Sequence, residues 1–113
     1  MNYDKAHELA RAIRESEEYR NYFATHQNVN QDAEAKRMFD DFRKRQFELQ
    51  MKQMSGQAPT QDEMEQFQRL FETISLNPEI RKLLEAERIL SQVMEDINRI
   101  IAEPLEVLFT DQI

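Results

Sequence analysis

The sequence predicts an all-α fold: an elongated antiparallel helical hairpin or bundle of four to five helices, oligomerising through its long helices. Three observations carry this. One Gly and three Pro in 113 residues leave few breakers, and the chain is rich in good helix formers such as Glu, Gln, Arg, Leu and Met. Apolar residues recur at helical spacing between the breakers, and no period-two alternation lasts long enough for a strand. Finally, residues 77–101 carry an unusually wide apolar set: Ile80, Leu83, Leu84, Ala86, Ile89, Leu90, Val93, Met94, Ile97, Ile100 and Ile101. At about 100° per residue these cover an arc of roughly 220°, about twice what one neighbour requires. That helix must be enclosed on several sides, by its own chain, by a second copy, or by both.

The joints follow from local chemistry. Ser16 precedes Glu17 and Glu18, and Asn30 to Asp32 also offers N-caps. At Ser16 a true break and a kinked continuous helix are both compatible with the sequence. Ser55-Gly56-Gln57-Ala58-Pro59-Thr60 is the main loop. There Gly56 suits the left-handed position after a helix, and Thr60 with Glu63 forms a capping box for the next one. Asn77-Pro78-Glu79 combines an N-cap, a Pro at the first helical position and an acid near the positive helix end. The expected helices are 4–15, 17–29, 32–54, 61–75 and 78–102, in a single domain of residues 1–103 with a tail at 104–113. In that tail Leu105, Val107, Leu108 and Phe109 either dock on the bundle or act as a short binding peptide.

Each helix has its stripe. The first carries Ala6, Leu9, Ala10 and Ile13; the second Tyr19, Tyr22, Phe23, His26 and Val29; the third Ala35, Met38, Phe39, Phe42 and Leu49; the fourth Met64, Phe67, Leu70, Phe71 and Ile74. On the third, Phe47, Met51 and Met54 are displaced from the main stripe by about 100° or more. Either helix 61–75 folds back across them or another subunit covers them. A 23-residue helix is about 35 Å long, and rods of that length in so short a chain favour burial through two-fold self-association. The expected interface comprises a central seam on the last helix, Leu83, Leu90, Val93, Met94, Ile97 and Ile100, with Glu87 as its polar member. Phe47, Met51 and Met54 form a second patch.

Charge and composition narrow the function classes. A net charge of −7 repels nucleic-acid backbones and anionic lipid, so direct contact with either is disfavoured. The basic run Lys36, Arg37, Arg43, Lys44 and Arg45 is interrupted by Asp40 and Asp41, and helical spacing spreads it around the rod. There is no cysteine, hence no disulfide, thiolate metal site or cysteine nucleophile. No run reaches the 18 or so apolar residues of a membrane span, and the N-terminus lacks the pattern of a signal peptide; the expected location is the cytoplasm.

Candidates for chemistry are few. His7 adjoins Glu8, but adjacent helical residues diverge and do not form a metal pair. His26 falls in an apolar stripe and reads as a packed structural histidine. Glu87 lies among Leu83, Leu84, Leu90 and Met94; an ion pair or snorkelling accounts for it more simply than a shifted general acid or base. Phosphate cradles need more glycine than Gly56 alone supplies. The expectation is no catalytic residue, no metal and no cofactor.

The segments LARAIRESEEYRNY, MSGQAPTQDEMEQF and NPEIRKLLEAERILSQVMEDINRII resemble the YlbF/YmcA-like family of small helical proteins from Gram-positive bacteria. The resemblance covers roughly residues 4–102. Its most specific parts are Ser16-Glu17-Glu18-Tyr19, Ser55-Gly56-Gln57, Leu84-Glu85-Ala86-Glu87 and Ile97-Asn98. It implies an all-α fold that assembles into dimers or higher oligomers. Some members in bacilli form a complex that supports competence, biofilm formation and sporulation, linked to phosphorelay control and messenger-RNA maturation. Those members hold iron–sulfur clusters through cysteines, and this cysteine-free chain cannot. The combined expectation is a non-enzymatic regulatory or adaptor module that binds itself, with a related helical protein as a second candidate partner. The alternative is an RNA-associated accessory factor acting through the basic run.

Overall fold

Side-chain caps set the helix boundaries in the computed structural model, which describes residues 1–110. The five helices are α1 (Asp4–Glu15), α2 (Glu17–Gln31), α3 (Ala33–Met54), α4 (Gln61–Ile74) and α5 (Pro78–Thr110), and no strand occurs among the described residues. Ser16 is a true break: its backbone is extended, with ψ 152°. Its Oγ donates to the Ile13 carbonyl at 2.6 Å and accepts the Tyr19 N–H at 3.2 Å. One hydroxyl thus closes α1 and opens α2. Asp32 caps α3 by accepting from the Glu34 and Ala35 amides, and Asn77 does the same for Glu79 and Ile80 at the start of α5.

The α3–α4 turn shows why its residues are needed. Gly56 has φ 83°, the left-handed conformation that glycine adopts without steric cost. The Gln57 amide then donates to the Lys52 carbonyl and the Gly56 amide to Gln53, a Schellman closure of α3. Thr60 and Glu63 make the reciprocal capping box.

By contact, the chain forms two compact units, one of Met1–Tyr22 with the chain from Glu85 onward, the other of Phe23–Leu84. Nearly all fully buried residues belong to the second: Thr25, Val29, Ala35, Phe39, Phe42, Ile74, Ile80 and Leu83. Within it α3 and α4 run antiparallel. Phe42 stacks on Phe67 at 5.1 Å and approaches Phe71 at 6.0 Å, while Lys52 meets Glu63 near the turn. Burying a phenylalanine stabilises by about 1.5–3 kcal/mol, so this cluster is the main anchor of the hairpin. In the first unit Ala86 is the one buried residue among those described, and α1 buries none.

Three expectations are corrected. The last helix does not end near 102 but continues through Pro104 to Thr110. Proline removes the bond to the carbonyl four residues back, yet residues after it can still complete the ladder. Leu105, Val107 and Leu108 are exposed on this extension rather than docked; the Phe109 side chain lies outside the described residues. In α2, Thr25 and not Phe23 joins Val29 in the core. Position 25 lies about 40° from 29 around the helix and position 23 about 120° away. In α4, Met64 and Phe71 are more exposed than Ile74, Phe67 and Leu70.

Candidate interaction surfaces

Two surfaces collect many of the apolar residues that the core does not use. In the first unit, α1 and α5 enclose a groove of about 440 Å³. Its floor is Ala6, Leu9, Ala10 and Ile13 on one side and Met94, Ile97 and Ile101 on the other, with Lys5 and Asn98 completing it. The small side chains of Ala6 and Ala10, one turn apart, leave room on the α1 side. The expected seam divides along α5. Leu83 is fully buried within its own chain and belongs to the core, so no surface of it is left for a partner. Leu90, Val93, Ile97 and Glu87 are half-buried, and Met94 and Ile100 are exposed. Sequence reasoning passed over Ile101, which is 58% exposed and lines the groove; its place within the wide arc was the available signal.

The second surface is the far end of α3. Phe47, Met51 and Met54 are 61%, 49% and 81% exposed. Helix α4 does not fold back across them: it packs on the Phe42 side and leaves this ridge open. Met64 and Leu76 add further exposed apolar side chains in the same unit.

Several charged and polar side chains are engaged in local structure. Lys36 pairs with Asp40 at 3.1 Å and Arg45 with Asp41 at 3.6 Å, both one turn apart. Arg43 donates to Gln46 at 2.7 Å and its guanidinium lies 4.7 Å over the Phe39 ring. Three of the five residues of the basic run thus have a partner on their own helix. His26 is half-buried, with Nδ1 3.1 Å from the Asn30 amide nitrogen. Two carboxylates are held below their ordinary range: Glu63 by hydrogen bonds from Lys52 and then Thr60, and Glu85 by its hydrogen bond from Arg88. Both sit in surface networks, which is a structural role. Among the described residues no three His, Asp or Glu side chains gather in a way that could hold a metal ion, and no helix is long and apolar enough to cross a membrane.

A family model described as control of competence regulator ComK, YlbF/YmcA, matches residues 2–106. The chain belongs to this YlbF/YmcA family. Among its relatives, a UPF0342 protein of Alkalihalophilus pseudofirmus is 47% identical over 107 residues, spanning 95% of this chain and 91% of the relative. A UPF0342 protein of Bacillus velezensis is 44% identical over 110 residues, spanning 97% and 95%. Solved structures share the fold. A DUF964 protein from Bacillus stearothermophilus superposes with a TM-score of 0.86 at 33% identity, over 95% of this chain and 94% of that one. YheA from Bacillus subtilis gives 0.72 at 33% identity, over 96% and 99%. A chain of the structure of Bacillus subtilis RicA in complex with RicF gives 0.62 over 93% of both chains; at 20% identity the likeness is one of fold. YlbF/YmcA membership agrees with the resemblance drawn from the sequence and with the all-helical architecture.

Proposed function

We propose that this YlbF/YmcA protein is a non-enzymatic, self-associating interaction module that acts in regulation in the cytoplasm. The observation that carries the reading is the placement of its large apolar side chains. The first unit buries almost nothing, yet presents Met94, Ile100, Ile101, Leu105, Val107 and Leu108 to solvent. Exposed apolar surface on this scale marks a contact site rather than a finished exterior. The regulatory part is supported by the family's description, and a protein partner by the RicA–RicF complex of the structural neighbour. RNA contact through α3 has less support, because Asp40 and Asp41 interrupt the basic run and a chain of net charge −7 repels a phosphate backbone.

Sedimentation velocity of the purified full chain, from low to high micromolar concentration, tests the reading. A mass that rises from one chain to an oligomer is expected. A single-chain mass throughout removes self-association, and metal- or RNA-dependent activity would remove the non-enzymatic reading.

A further inference from the structure

Two exposed apolar ridges of the same pitch lie on different helices. Phe47, Met51 and Met54 on α3 stand at i, i+4 and i+7; Ile101, Leu105 and Leu108 on α5 repeat that spacing, and all six are exposed. Seven residues span about 10.5 Å of helix, so each ridge offers three anchors over two turns. This is the pattern by which one helix lies against another.

Their charge settings are opposite. Helix α3 holds six basic against four acidic residues and is the one helix of the five with a net positive charge. Lys44 stands one turn before Phe47 on the same side, with Lys36 two turns further back and Asp40, paired to Lys36, between them. The described part of α5 from Glu95 onward has four acids and only Arg99 as a base. In a chain of net charge −7, an approaching acidic helix end meets repulsion from most of the surface and attraction along α3. The intrahelical pair Lys36–Asp40 is exposed, and such pairs are weak enough to be exchanged for an incoming carboxylate.

We propose that the Phe47–Met51–Met54 ridge of one copy receives the Ile101–Leu105–Leu108 ridge of a second copy. This rests on the self-association proposed above and names the surfaces that perform it. The contact joins two different patches, so a two-fold exchange between two copies makes it twice. That doubling suits its size, since one three-anchor contact falls short of the roughly 1,200 Å² of a stable interface.

The test uses full-length wild type, Met51→Glu and Leu105→Lys, each checked for helicity by circular dichroism; both positions are exposed, so folding is expected to be kept. In sedimentation velocity each variant alone associates at least tenfold more weakly than wild type. Mixed in equal amounts, the two recover association, because one wild-type contact survives and the introduced charges oppose each other in the second. Added salt weakens the wild-type assembly. Wild type that stays monomeric overturns both this inference and the self-association reading. Wild type that associates while either variant matches it overturns the inference alone. Loss in both variants without recovery on mixing also overturns it, and points to each ridge pairing with its own kind or with the chain that bears it.

Discussion

Lys52 in the last turn of α3 is bonded through Nζ to Oε1 of Glu63, the third residue of α4, which also accepts the Thr60 amide within the capping box. One carboxylate therefore ties the end of one helix to the start of the next. These bonds hold the Glu63 carboxyl below its ordinary range. A carboxyl whose pKa is lower folded than unfolded stabilises fully above its unfolded value, and loses that contribution as pH falls through the folded one. Urea unfolding at stepped acidic pH is expected to show this loss in wild type. Glu63→Gln is expected to be less stable at neutral pH and to converge on wild type as pH drops through that window; parallel curves refute the role.

Gly56 gives a cleaner backbone test. Nothing lies within 4 Å of where a Cβ would sit, while φ is 83°. Gly56→Ala is thus expected to cost about 1–2 kcal/mol through conformation alone. A melting temperature equal to wild type would show that the turn relaxes into another form.

Phe42 has rings on two sides of it and almost no exposure, Phe47 the reverse. Phe42→Ala is expected to destabilise by about 3–5 kcal/mol in denaturant unfolding. Phe47→Ser is expected to change single-chain stability by less than about 0.5 kcal/mol, yet to weaken association in light scattering. Equal effects of the two on stability would place Phe47 in the core.

Ile97 lines the α1–α5 groove and is half-buried. Ile97→Asp places a carboxylate among Leu9, Ile13 and Met94, where desolvation opposes charge. The expected outcome is a lower melting temperature together with dissociation. Unchanged melting and mass would remove the groove from the folded assembly.

Hydrogen exchange separates the two units. Amides of α1, which buries no side chain, are expected to exchange orders of magnitude faster than those around Phe39 and Phe42, and to slow as protein concentration rises. Uniform protection would show that the helices open together.

What the sequence disclosed was mostly local. Thr60 with Glu63, Asn77 with Pro78, and Gly56 each act within a few residues, so their chemistry can be read without knowing the fold. Ser16 required more, because one hydroxyl can bend a helix or end it; only its ψ of 152° decides. The course of α5 past Pro104 was hidden because proline disrupts the preceding turn without barring the next. The cover over Phe47, Met51 and Met54 depended on which face of α3 meets α4. That choice follows from how Phe42 stacks on Phe67, a long-range fit with no signature in spacing. Leu83 shows the same limit: periodicity placed it on the apolar arc of α5 but did not reveal that its own chain fills the space around it.

The thin packing of α1 bears on how long the protein survives in a cell. A helix held by half-buried Leu9 and Ile13 alone opens often, and each opening offers an extended segment to a protease. Under the self-association proposed above, a copy held by another is expected to be cut more slowly than a single chain. Half-life is then expected to rise with the protein's own concentration. The modest burial of one short helix would thus let degradation favour assembled copies over single ones.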